Sequence, residues 1–170
     1  MALTMHSASV PVFARMLRNM NGWLDKAVAH AQAKKFDPAV YLTARLAPDM
    51  LPFTRQIQIA SDNAKGCVAR LAGVEIPKFE DNETTLDQLR ERISKTLAFI
   101  ESVPVSAFEG AEARDVEIPR RDKEPLRFKG EDYLRFFALP NFFFHATTTY
   151  ALLRHWGVDL GKPDFLRGGD

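Results

Sequence analysis

Apolar positions recur at three- and four-residue steps along four long stretches of the chain, the pattern of amphipathic helices. Over residues 8–34, Val12, Met16, Met20, Trp23 or Leu24, Ala27 and Ala31 fall on one stripe, and Lys34 and Lys35 suit the negative end of the helix dipole. Asp37-Pro38 reads as an N-cap with proline at the first helical position, opening a short turn through Val40, Tyr41 and Leu42. A second helix is predicted from about Pro48 to Ala72, where Met50, Phe53, Ile57, Ala60, Ala64, Cys67 and Leu71 form a bundle seam. Pro52 belongs in its first turn or marks a kink there. Gly73 and Val74 fit a C-terminal cap, and Pro77 forbids continuation.

After an acidic loop over residues 74–83, Thr85-x-x-Gln88 reads as a capping box. It opens a third helix with Leu86, Leu89, Ile93, Leu97 and Ile100 on its stripe, ending before Pro104. The period then changes. Val116 and Ile118 alternate with charges, as do Leu126 and Phe128, so residues 105–130 are predicted to hold two short strands in a hairpin-like excursion. Gly130 to Gly157 is the last helical stretch and carries Phe136, Phe137, Phe142, Phe143 and Phe144. Pro140 removes an amide hydrogen and crowds the carbonyl of residue 136. Either a short helix over 131–139 precedes a new one at Pro140, or a single helix kinks there. The tail after Gly157 is turn-rich, with Phe165 and Leu166 as a potential apolar anchor. These elements predict one mostly all-α domain over residues 1–170, a four-helix bundle with a β-hairpin-like excursion before the last helix, in up-down or crossover topology.

Charge and composition narrow the function classes. A formal net charge of +1, with basic residues scattered, gives no field favouring nucleic acid or an anionic membrane. The N-terminal residues do not form a secretory leader, and no run of eighteen or more apolar residues suggests a membrane span. The lone Cys67 excludes an intrachain disulfide and a cysteine-rich metal site, which fits a reducing, cytoplasmic setting. There is no glycine-rich phosphate loop, no G-x-S-x-G elbow and no H-E-x-x-H.

The best candidate for chemistry is the pair Asn141 and His145, four residues apart and so on one face of a helix. Asp49, Gln56 and Asn63 step by seven along the second helix, as a polar stripe facing His145 or as a solvated flank. Thr148 and its neighbours Thr147 and Thr149 either bond to the preceding turn or line a pocket. Asp62 is expected to pair with a cation such as Arg55. Tyr150, Arg154 and His155 are compatible with an anion clamp or with a plain helix end. His6 and His30 have no companion ligands nearby in sequence and read as incidental.

The segments RLAPDMLPFTRQIQIASDNAKG, ARLAGVEIP and ALPNFFFHATTTYALLRHWGVDLGKPDFL, set in this helical framework, resemble the DinB/YfiT-like superfamily, and within it a domain-of-unknown-function branch. In that superfamily's metal-binding members, one His on the second helix and a His-x-x-x-His pair on the last hold a divalent metal. The resemblance implies that His145 occupies the second position of the pair, Asn141 the first, and Gln56 the helix-two position. It places a pocket around Gln56, Asn141, His145, Thr148 and Asp49. Amide oxygens bind nickel or zinc far more weakly than imidazole does, so the expected metal is weak or none. The reading is a bundle of unknown biochemical function with a polar pocket open to a small-molecule ligand. Its alternatives are a divalent-metal enzyme of thiol-transferase or hydrolase type using His145, and a non-catalytic homodimeric binding module.

Overall fold

The four apolar stripes are helices in the computed structural model, which describes residues 3–167. Helix α1 spans Val10–Lys34, α2 Phe53–Ala72 and α3 Leu86–Ser102. Strands β1 (Asp115–Arg120) and β2 (Lys123–Lys129) then form an antiparallel hairpin, pairing Val116 with Phe128 and Ile118 with Leu126. The last helical run comprises α4 (Gly130–Asp132), a π turn (Tyr133–Ala138) and α5 (Leu139–His155). A short α6 (Lys162–Leu166) follows, and 3-10 turns cover Pro38–Thr43 and Val105–Phe108. Among the described residues, no helix is long and apolar enough to cross a membrane.

Local chemistry sets the ends of these elements. Asp37 accepts the Ala39 N–H at 2.9 Å, as the Asp-Pro pair predicts. The Thr85 hydroxyl accepts the Gln88 N–H while the Gln88 side-chain oxygen accepts the Thr85 N–H, both at 3.1 Å, completing the predicted capping box. Gly73 ends α2 at φ 70°. Helix α2 begins five residues later than Pro48. Pro52 disfavours a helical conformation at Leu51, so residues 46–50 make a separate turn and bend, and the Phe53 N–H donates to the Ala44 carbonyl instead.

Helix α2 packs against both α3 and α5, while α1 covers α3 and α5. The buried face of α1 centres on Phe13, Met16, Leu17, Met20, Trp23 and Leu24; Val12 is only half-buried. Ala60, Ala64 and Gly66 are buried and admit neighbouring helices closely. Cys67 is fully buried and burial pushes its thiol up, so it should stay unmodified by a thiol reagent in the native protein and react only on unfolding. Stoichiometric labelling of the folded protein would contradict this packing.

The chain stays helical through Pro140. Leu139 donates its N–H to the Leu134 carbonyl, five residues back, so the turn ahead of the proline is widened rather than broken. Buried positions here are four apart: Gly130, Leu134, Ala138, Phe142 and Ala146. In a pure α-helix that spacing drifts by about 40° per step, and a π turn takes the drift back. Beyond α5 the tail returns to α1. Phe165 stacks on Trp23 with ring centroids 5.5 Å apart, and the Trp23 indole N–H donates to the Asp164 carbonyl at 3.0 Å. Leu166, the other predicted anchor, is exposed.

The acidic loop is tied down by charge. Arg92 on α3, its side chain 1% exposed, meets Glu83 at 2.8 Å, Asp62 at 2.8 Å and Asp81 at 3.0 Å. Gln58 donates to Glu83, and Arg55 pairs with Asp81. The expected Arg55–Asp62 pair is therefore not formed. Asp62 is drawn to Arg92 and Lys65, and the loop supplies Arg55 with its own carboxylate.

Candidate functional site

Helices α2 and α5 run antiparallel and share two polar rungs. On the first, the His145 Nδ1 lies 2.7 Å from the Gln56 Oε1, and the Gln56 Nε2 donates to the Leu51 carbonyl at 2.9 Å. With its Nε2 turned to the Leu51 carbonyl, Gln56 presents its oxygen to His145, so Nδ1 carries the proton and donates. On the second rung, Asn141 Nδ2 donates to Asn63 Oδ1 at 2.9 Å. Gln56 and Asn63, about two turns apart, share one face of α2, and Asn141 and His145, about one turn apart, share the facing side of α5.

His145 is 8% exposed, and burial lowers its pKa from the ordinary histidine value by disfavouring the charged ring. Its Nε2 has no hydrogen-bond partner among the described residues. The ring of Phe144, 57% exposed, stands edge-on to the imidazole at 5.2 Å. The geometry is a neutral imidazole with one free acceptor nitrogen, held from behind by a buried amide.

The other predicted residues are dispersed. Thr148 and Thr149 are buried but donate to the Phe144 and His145 carbonyls, each at 2.8 Å, and Thr147 is exposed. Asp49 is not on helix α2; it sits in the exposed turn ahead of it, outside both rungs. Arg154 donates to the Val158 carbonyl at 3.1 Å and so serves the helix end. Tyr150 packs on Trp23 and Phe165. His30, read as incidental, lies with its Nδ1 2.6 Å from the Tyr41 hydroxyl, and His6 stands edge-on to Phe108 at 5.2 Å. The sequence reasoning missed the Leu51 carbonyl, which orients Gln56; backbone partners of this kind leave no residue signature.

These donors do not fit a nickel or zinc centre. Gln56 is engaged at both ends of its amide, His145 at Nδ1 and Asn141 at Nδ2. What remains is the His145 Nε2 and neutral amide oxygen, and the described residues hold no group of three His, Cys, Asp or Glu able to take a metal.

A four-helix framework with a hairpin before the last helix is the architecture of a DinB-like domain. The crystal structure of a DinB family member protein from Shewanella denitrificans, at 1.83 Å resolution, is 41% identical to the chain and superposes with a TM-score of 0.88. The match covers 97% of this chain and 92% of that one. Residues 5–166 match the family described as domain of unknown function DUF1993, and the chain belongs to it. No curated protein matches.

Proposed function

We propose that this domain is a ligand-binding bundle in which His145, kept neutral, presents Nε2 as a hydrogen-bond acceptor where metal-binding DinB-like proteins would use a metal. The observation that carries this is the 2.7 Å Gln56–His145 bond, with Gln56 itself fixed by Leu51. It sets the tautomer and aims the free nitrogen outward, as outer-shell partners do for functional imidazoles. Phe144, beside the imidazole, and Leu51, whose carbonyl holds Gln56, are both exposed apolar side chains. The fitting ligand is a small molecule with an N–H or O–H donor beside an apolar body.

The test is ¹⁵N NMR of the imidazole with thermal shift in zinc and nickel. The expected spectrum shows an Nδ1–H tautomer that titrates below the ordinary value of 6.5. Because the folded pKa is depressed, the matching stability is present above that value and is lost as pH falls through the folded pKa; His145→Gln should remove this dependence. Gln56→Leu leaves Nδ1–H without its acceptor and should cost about 1–3 kcal/mol. A stoichiometric metal stabilisation abolished by His145→Ala would overturn the reading in favour of a metal-dependent enzyme.

A further inference from the structure

A cavity lies away from the His145 rungs, where the residues leading into α1 meet the turn at Val105–Phe108 and the start of the last helical run. Its volume is about 660 Å³, within the range of small-molecule sites of roughly 300–1,000 Å³. Leu134, at its wall, is eleven residues before His145, a separation of roughly 16 Å along the helix. We infer that this cavity is a second binding site, for a small amphipathic amine: a short apolar chain ending in one cationic nitrogen.

The apolar half of the argument is the wall. Met5, Ala8, Phe108 and Leu134 line it, and Phe108 and Leu134 are themselves packed into the core, so the surface is preformed. The cationic half is the charge at the mouth. Glu109 and Glu112 line the cavity and neither enters an ion pair among the described residues. Glu131 also lines it but is satisfied by Arg135 at 2.8 Å, and the Arg135 guanidinium lies over the Phe136 ring. Of the other basic groups, His6 lines the cavity and stands edge-on to Phe108, and Arg114 donates to the carbonyls of Leu71, Ala107 and Glu109. An apolar hollow with two uncompensated carboxylates at its mouth favours a cation over a neutral or anionic head of the same size.

The probes are n-hexylamine, n-hexanol and n-hexanoate, titrated into the full chain at low ionic strength and followed by methyl NMR. The expected order of affinity is amine, then alcohol, then carboxylate, with saturable shifts at Met5 and Leu134 and none at Ile57 on the His145 seam. In Glu109→Gln/Glu112→Gln, both sites being exposed and the fold undisturbed, amine affinity should fall about fivefold or more, to that of the alcohol. Val105→Arg, at an exposed rim position, should weaken the amine further still. Equal affinity for amine and alcohol in the unsubstituted chain, retention of amine binding in the double variant, or the absence of saturable shifts at Met5 and Leu134 would each overturn the assignment.

Discussion

Gly130→Ala should unfold or severely destabilise the domain, by about 3 kcal/mol or more in urea denaturation. A Cβ at this position would overlap the Ala111 carbonyl oxygen and sit 3.2 Å from the Leu71 side chain. The obstacle is backbone, which cannot rotate aside as a side chain can. Ala111 is fully buried, and the Glu131 N–H donates to the Glu112 carbonyl at 3.0 Å, so the approach is held from the adjacent residue too. This close crossing joins the segment after α3 to the beginning of the last helical run. Gly22, in the exposed middle of α1, is the internal control: a Cβ there meets nothing within 4 Å. Gly22→Ala should gain about 0.5–1 kcal/mol from helix propensity alone. Equal and mild effects at the two positions would show that the crossing is not as tight as described.

Arg92→Met should cost about 3–5 kcal/mol, because it strands charges that the fold has already taken out of water. Glu83 is the critical partner, its side chain only 8% exposed and 2.8 Å from the guanidinium. Burial pushes the Glu83 carboxyl up, but hydrogen bonds from Arg92 and Gln58 outweigh it and hold it below the usual carboxylate value. Asp81 is likewise raised by burial and then brought below its usual value by Arg55 and Arg92. Both folded pKa values are depressed, so their stabilisation is present above the ordinary values of 4.5 and 3.8 and is lost as pH falls through the folded ones. The variant lacks the cation that depresses them. Its stability relative to the native sequence should therefore recover as the pH is lowered from 7 towards 4, measured by denaturation at each pH. A deficit independent of pH would mean that Arg92 acts through its packing on Phe79 and not through its charge.

The sequence announces some of this architecture loudly. Helix α3 has a complete capping box at Thr85 and a clean apolar stripe, and Gly73 terminates α2 because no Cβ-bearing residue takes its φ as cheaply. Local rules suffice at both places. The candidate site was half legible. A seven-residue step along α2 singled out Gln56 and Asn63, and a four-residue step along α5 singled out Asn141 and His145. Which stripe member faces which partner depends on how the two helices are laid against one another, and Asp49 dropped out because Pro52 delays the helix. The Arg92 cluster was hidden for a different reason. Its carboxylates come from α2 and from a loop that carries no periodicity, so only the folded loop brings Asp81 and Glu83 to the α3 arginine. Around Pro140 the sequence allows a break or a kink, and only the structure shows that the chain stays helical with a π turn ahead of the proline.

That wide turn works as a phase shifter along the last helical run. Leu134, on the wall of the cavity beside the Val105–Phe108 turn, lies within it, and His145 lies beyond it. Each residue of an α-helix advances the azimuth by about 100°, so one surplus residue held in a π turn re-aims everything after it while leaving the axis continuous. The two proposed binding faces are thus indexed to each other by chain length rather than by side-chain identity. Between relatives of this chain, a single-residue insertion or deletion over Tyr133–Ala138 would turn one face against the other without altering any residue that lines either.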